Sequence, residues 1–422
     1  MRILYIHQYF ATPRGHTGTR SHAQALAMRA AGNDVTVLTC SAQLRPEEVP
    51  AGHGVVRRGR IDGLDCIVLE IPYDQRMSYL RRIGSFLRFM VWSCRIVLTD
   101  PRPDLVYATS TPLTVGVAAL LGKLLRGIPY AFEVRDLWPD VPAALGILTN
   151  AWTVRLLRAA EAAIYRHARL LVAVNEDVAR AMSRKIGGRK RVVVVPNACD
   201  ARMFRPDRDG AGFRRRWNLE GKVLCIHPGA MGMVNGLDGI LDAAAALRDE
   251  PDVRFLLIGQ GKERPRLEWR AADEGLSNVL FIDPLPKHEL ADAMATADVG
   301  LMTVAAIPIL EWNCANKFFD YLASGLPVVL NYRGWQAKLL ADNECGLSAE
   351  QTDTEGFIEA VRRLVRGPAL RKKMGANARR LAEGALNRQA VVRPLLAALG
   401  EIASSLAGPA TIGRPAPPRA PS

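Results

Sequence analysis

One short stretch carries residues able to grip a phosphate and a sugar together. It is EWNCANKFFDYLASGLP (311–327), with Glu311, Asn313, Asn316, Lys317 and Asp320 at or near a predicted helix start. A lysine beside free backbone N–H groups there suits an anion such as a diphosphate. A carboxylate one turn along, Asp320, suits a sugar diol, because it accepts from two hydroxyls. Asn316 is expected to cap the helix, its side chain accepting an early backbone N–H. Phe318, Tyr321 and Leu322 fall at i, i+3 and i+4 and make one apolar face. Gly325 stops the helix in the left-handed conformation, Pro327 follows, and 328–330 reads as a central strand. An ordinary capped α/β helix would show the same pattern, so the rest of the chain must decide.

Three further clusters could meet it. PGAMGMVNG (228–236) crowds Gly229, Gly232 and Gly236 into one strand–helix corner whose amides can cradle an anion. The loop HQYFATPRGHTGTR (7–20) carries Gly15 and Gly18, which allow close backbone approach; a plain βα turn is the alternative. In EVRDLWPD (133–140), Arg135 and Asp136 stand at the carboxyl end of a strand, where open α/β sheets place ligand groups. Arg135 offers a guanidinium fork to phosphate; alternatively the two are a structural pair beneath the cleft.

The elements that must position these residues form a repeated βα rhythm. Strands are expected at 2–6, 35–38, 104–108, 130–134 and 170–174, with helices at 21–31, 113–126, 151–166 and 176–186. Residues 55–60 and 66–71 read as short strands about Gly63. After a linker at 207–221, strands recur at 222–227, 253–258, 279–282 and 299–302, with helices at 237–247, 357–366, 368–381 and 388–406. The first strand–loop–helix–strand unit is Rossmann-like but lacks GxGxxG, which weakens a dinucleotide reading. Asp207 and Asp209 form a DxD, read as a solvated turn. The 408–422 tail, with five prolines in fifteen residues, is expected to be disordered.

Composition narrows the function classes. With 422 residues, 49% hydrophobic, the chain can build two ordinary domains. Seven scattered cysteines, never in CxxC spacing, suggest reduced thiols in a cytoplasm and no zinc site. No signal peptide and no run of 18 apolar residues is seen. A net charge of +14 fits a phosphorylated substrate or an anionic membrane face. It carries no recognisable nucleic-acid module, so nucleic acid is set aside. On a helix over 76–98, Arg81, Arg88 and Arg95 recur every seven residues beside Tyr79, Phe86, Phe89, Trp92 and many aliphatics. That stripe suits an anionic membrane surface. A domain-packing helix with a solvated arginine edge fits equally.

NKFFDYLASGLPVV resembles the donor-site helix of the family-four retaining glycosyltransferases of GT-B fold. Their pattern is Glu, seven residues, Glu; Asp320 takes the second position, while the first falls on Trp312, one residue from Glu311. The VVVVPNACDARMFRP run (192–206) is similar to the family's PNGVDxxxFxP segment in Asn197, Asp200, Phe204 and Pro206. EVRDLWP and the uncharged 228–236 turn look like the branch of cell-surface polysaccharide transferases, amino-sugar transferases among them. The wider family's arginine and lysine in that turn would be Ala230 and Asn235 here.

The resemblance implies an α/β, GT-B architecture: two Rossmann-like domains facing across a cleft. The acceptor domain is expected at 1–206, the donor domain at 207–387, and a helix crossing back at 388–406. It implies transfer of a sugar, with retained configuration, from a nucleotide-sugar, expected to be UDP-linked. The acceptor would be a glycan or polyprenyl-diphosphate-sugar in exopolysaccharide, capsule or O-antigen assembly. The donor site would hold Gly18, Gly229, Ala230, Gly232, Asn235, Gly236, Leu285 (beside the base), Asn313, Asn316, Lys317 and Asp320. Lys317, Arg135, Asp136 and Glu311 are the catalytic candidates. No cofactor or metal is implied, and the leaving diphosphate itself steers a same-face displacement. The expected location is the cytoplasm, at the inner face of the plasma membrane if 76–98 binds lipid. The rivals are a nucleotide-sugar epimerase of the same architecture and a non-catalytic membrane-surface protein.

Overall fold

Apolar runs bounded by turn residues become parallel strands here because helices cover both faces of each sheet. The computed structural model describes residues 1–15, 18–73 and 77–407. The expected disorder of 408–422 lies outside these residues.

The first half contains β1 (Arg2–Ile6), α1 (Arg20–Ala30), β2 (Asp34–Cys40), β3 (Val56–Ile61), β4 (Leu64–Leu69) and α2 (Tyr79–Thr99). It continues with β5 (Leu105–Thr109), α3 (Val115–Arg126), β6 (Tyr130–Val134), α4 (Asp140–Ala144), α5 (Ala151–His167), β7 (Leu170–Ala173), α6 (Glu176–Lys185) and β8 (Val192–Val194). Its eight strands run in the order β3-β4-β2-β1-β5-β6-β7-β8. Only β3–β4 is antiparallel. Asp62 (φ 48°) and Gly63 (φ 79°) are both left-handed, as a two-residue hairpin requires.

The second half contains α7 (Ala211–Arg216), β9 (Val223–Pro228), α8 (Asp238–Ala246), β10 (Val253–Ile258), α9 (Arg264–Asp273), β11 (Val279–Ile282) and α10 (Lys287–Thr296). Then come β12 (Val299–Met302), α11 (Asn316–Ala323), β13 (Val328–Leu330), α12 (Trp335–Asp342), β14 (Gly346–Ser348), α13 (Thr354–Arg366), α14 (Pro368–Glu383) and α15 (Arg388–Ala407). The six strands are all parallel, ordered β11-β10-β9-β12-β13-β14. In both halves the order reverses beside the first strand, the switch point where such sheets bind ligands.

The chain crosses between the halves twice, side by side. The Cys199 amide donates to Leu386 O at 2.8 Å. Arg379 on α14 donates to the carbonyls of Ala201, Phe204 and Ala323, tying the outgoing strand to the second half. After Asn387, α15 leaves the second sheet and packs on α1 and β8 of the first. Arg388 at its start pairs with Asp200 at 2.7 Å.

One buried ion pair anchors the first half. Glu133, at the end of β6, accepts from Arg20, Gln24 and Thr109. Burial alone would raise its pKa, but Arg20 and these donors outweigh it and hold it at about 2. Arg20 also donates to Val195 O, Pro196 O and Asn197 Oδ1, so the same guanidinium fixes the strand leading into the crossing.

Candidate active site

The two sheets present their carboxyl ends to a cleft of about 510 Å³ lined by both halves. Gly18, Gly229, Leu285, Asn316, Lys317 and Asp320 all line it. They come from the β1–α1 loop, the β9–α8 turn, the β11–α10 loop and the first turn of α11.

α11 starts where expected, but its cap differs. Ala315, extended, holds the N-cap position with no side-chain cap. Asn316 is therefore not the cap. Asn313 turns the chain instead, its Oδ1 accepting from the Ala315 amide at 3.4 Å and its Nδ2 donating to Leu310 O at 2.8 Å. This frees the Asn316 amide to cross the cleft: a Cβ on Gly18 would sit 2.1 Å from its Nδ2. Only glycine fits at 18 with Asn316 in that place.

Lys317 lies over the β9–α8 turn. Its Cε and Nζ would stand 3.2 Å from a Cβ on Gly229, whose φ is 131°. Nζ is 3.0 Å from Nε2 of the buried His227, whose Nδ1 lies 3.1 Å from Leu301 O. Burial, then the lysine charge, hold the His227 pKa well below its ordinary value. The neutral ring thus donates from Nδ1 to Leu301 O and accepts a hydrogen bond from the lysine at Nε2. Burial lowers Lys317 to about 7. Asp320, one turn on, is raised to about 7 by burial and by Asp200, against the lowering pull of Lys287 and Arg388. Among the described residues, Lys317 has no carboxylate and Asp320 no cation at ion-pair distance.

The remaining candidates sit around this core, outside the cleft lining. In the glycine turn, Asn235 Nδ2 donates to Ala230 O at 2.8 Å, and a Cβ on Gly236 would collide with Val304 O at 2.5 Å. Both residues shape the turn. Gly232 has open space beside its Cα, so packing does not demand glycine there. Glu311 accepts weakly from the Arg333 amide at 3.5 Å. Arg135 lies 3.3 Å from His7 Nε2, and Asp136 accepts from Thr111 at 3.0 Å. Arg135 and Asp136 are thus not paired with each other. Both are close enough to Cys314, in the loop before α11, to act on its thiol, which burial raises to about 11. That loop is pinned from the first half by Asn175, donating to Trp312 O at 2.7 Å, and Asn197, donating to Cys314 O at 2.6 Å.

Asp207 and Asp209 are exposed turn residues, one paired with Arg205 and one accepting from the Ala211 amide. Among the described residues no three metal-ligating side chains converge, and no helix is long and apolar enough to cross a membrane.

Two family models match in tandem: a glycosyl transferase 4-like domain over 16–198 and the glycosyl transferases group 1 over 212–381. The chain belongs to the GT4-like, GT-B glycosyltransferases. Relatives are distant. A Pseudomonas aeruginosa protein named as a glycosyltransferase, WbjE, is 24% identical over 57% of this chain and 61% of its own length. An Escherichia coli K12 protein named as a colanic acid biosynthesis glycosyl transferase, WcaI, is 23% identical over 87% and 92%. Sucrose-phosphate synthase from Thermosynechococcus elongatus superposes with a TM-score of 0.73 at 17% identity, covering 97% of this chain and 100% of that one. Anabaena HepE, solved with UDP-glucose, superposes at 0.69 and 16% identity, over 96% and 99%. These two show the shared fold.

Several residues of this glycosyltransferase cleft escape a linear reading: His227 beneath Lys317, and Lys287 and Arg388 facing Asp320. His227 alone had a local signal, as the polar residue of an apolar strand one step before the glycine turn.

Proposed function

We propose that this glycosyltransferase moves a sugar from a UDP-sugar, with retained configuration, to a glycan or lipid-diphosphate-linked acceptor in surface polysaccharide assembly. The observation that carries it is the cleft pair: a lysine over a glycine turn and an aspartate one turn along, neither with a counter-ion among the described residues. A nucleoside diphosphate supplies both missing partners. Its pyrophosphate takes the Lys317 ammonium, the β9–α8 amides and the start of α11. Its ribose diol donates to Asp320.

In this reading the developing negative charge falls on the diphosphate as the glycosidic bond breaks, and Lys317 stabilises it without reorganising. His227 accepts a hydrogen bond from one lysine N–H and leaves the other two aimed at the ligand. Leu285 borders the base. Glu311 and Asn313 face the donor sugar, and Arg135 and Asp136 the acceptor side. No metal or cofactor enters the scheme. The relatives' names support a surface-polysaccharide setting, and the HepE complex with UDP-glucose supports the donor class. The reaction belongs at the cytoplasmic face, where nucleotide-sugars are made.

The test is incubation with UDP-, GDP- and ADP-sugars and a lipid-diphosphate-sugar acceptor, following nucleotide release and product anomer. UDP release with an α-configured product from an α-donor is expected, lost in Lys317→Ala and Asp320→Ala. An epimerised nucleotide-sugar without transfer, or turnover unchanged in both variants, would overturn the reading.

A further inference from the structure

Eight of the largest exposed apolar side chains stand on one layer of the molecule. They are Leu80, Leu87 and Val91 of α2, Leu124 and Leu125 of α3, Ile147, and Trp152 and Leu156 of α5. α2 packs on α3 and α3 on α5, so they lie side by side over one face of the first sheet. Isolated exposed leucines need no explanation; a concentration on adjoining helices does. Leu80 is 79% exposed, Val91 60%, Trp152 76% and Leu156 71%.

At about 100° per residue, Leu80, Gly84, Leu87 and Val91 fall within about 60° of one another on α2. Arg81, Arg88 and Arg95, all exposed, run along one flank of that strip. The opposite face, with Phe89, Ile96 and Val97, is buried against the sheet and α3. This half of the helix is thus the packing element that the pattern allowed, and the other half is left uncovered.

The charge says what covers it. α2 and α3 contain no acidic residue, and the only one in α5, Glu161, is buried against Lys185 and Tyr165. Asp100, just past α2, is held by Arg58. Two guanidiniums stack on neighbouring indoles: Arg95 lies 5.2 Å from the Trp92 ring centre and Arg155 5.4 Å from that of Trp152. Such pairs keep a cation at the rim of an apolar patch, the arrangement suited to a lipid headgroup layer. A second copy of this chain fits poorly, since a two-fold contact would set the same arginines against each other.

We propose that the outer face formed by α2, α3 and α5 seats this protein on an anionic lipid bilayer, its apolar side chains entering the headgroup–acyl boundary and its arginines meeting lipid phosphates. The cleft end of α2 would then lie at the bilayer. Phe86, near that end, packs on Tyr73 at 5.8 Å, and Tyr73 on Tyr9 at 4.8 Å, beyond β1 on the way into the cleft. A lipid-borne acceptor would reach the first half directly from the surface. Binding itself needs neither donor nor acceptor, so its failure and that of the transfer reading are distinguishable.

The experiment is flotation of the full chain with phosphatidylcholine vesicles and with phosphatidylcholine–phosphatidylglycerol vesicles, at low and high salt. The wild type is expected to float with the anionic vesicles, and less so at high salt. Each surface arginine contributes roughly five-fold to partitioning. Arg81→Glu/Arg88→Glu should therefore weaken it by at least about 25-fold. Leu80→Ser/Leu87→Ser/Val91→Ser should abolish flotation with an unchanged melting temperature, because these side chains are exposed. Trp269→Ser, an exposed position on the second half, should float as wild type. The proposal is overturned if the wild type stays with the soluble fraction, if either multiple variant floats normally, or if Trp269→Ser is lost equally. It is also overturned if light scattering finds a dimer that the α2 substitutions split.

Discussion

The two halves each bury a charged pair, and the pairs are built oppositely. In the first half, Arg20 and Glu133 face each other at 2.7 Å and every remaining donor or acceptor is taken by Gln24, Thr109, Asn197 or a backbone carbonyl. In the second half, Lys317 and Asp320 sit one turn apart with no counter-ion among the described residues, and burial brings both to about 7. The first pair is closed and holds its charge, with Glu133 at about 2. The second is open, and its charges are weakened until something supplies partners. A buried charge with its own ion serves the fold; one without points to a ligand.

Breaking the closed pair should cost most in stability. Glu133→Gln leaves the Arg20 guanidinium buried without a counter-charge and is expected to destabilise by about 3–5 kcal/mol, read from denaturant unfolding. The pH dependence has a fixed sign. Glu133 is depressed, so its contribution is full above the unfolded value near 4.5 and is lost as pH falls toward about 2.

Breaking the open pair should do the reverse. Lys317→Met removes a cation held below its ordinary pKa, so melting should stay level or rise. Turnover should drop by about 10²–10³ in kcat/KM, as for loss of one preorganised charge-stabilising donor. A fall in stability like that of Glu133→Gln would make the two pairs alike and erase the contrast.

The open pair also predicts a pH optimum for nucleotide binding. Diphosphate favours the ammonium, so above about pH 7 free Lys317 must take up a proton and affinity falls. A diol favours the carboxylate, so below about pH 7 Asp320 must lose a proton and affinity falls again. Around Lys317 the facing titratable group is the neutral His227; around Asp320 they are Lys287, Asp200 and Arg388. Binding of UDP measured from pH 5.5 to 9 should peak near pH 7, each limb changing by up to about ten-fold per unit. Lys317→Met should flatten the alkaline limb and Asp320→Asn the acid one.

The smallest effect is expected where the two regions touch. Asn197→Ala removes a donor to Cys314 O and an acceptor for Arg20, for about 1–2 kcal/mol of stability, with a modest loss of turnover from the loosened α11 loop.

Much of this contrast was half visible in the chain. The βα rhythm, the glycine corner at 228–236 and the α11 segment all follow from local periodicity and turn residues, which is why Gly229, Lys317 and Asp320 could be named. What failed was set by distant neighbours. Asn316 has the right residue type for a cap, yet the chain turns at Asn313, and the Asn316 side chain lies against Gly18, nearly three hundred residues away in sequence. Arg20 and Glu133 are 113 residues apart, and nothing in either segment announces the other. For Arg135 and Asp136, placed at the carboxyl end of a strand, adjacency also allowed a structural pair; tertiary packing sends one to His7 and the other to Thr111, so only that alternative falls.

Proton uptake on binding tests the open pair most directly. Calorimetry of UDP with the full chain at pH 8, in two buffers of different ionisation heat, reads the protons taken up per ligand. The wild type should take up a net of about 0.8 proton, about 0.9 at Lys317 less about 0.1 released at Asp320, both free values being about 7, and Lys317→Met should take up none. Binding with no proton exchange, or uptake that survives Lys317→Met, would contradict a pyrophosphate held by this lysine.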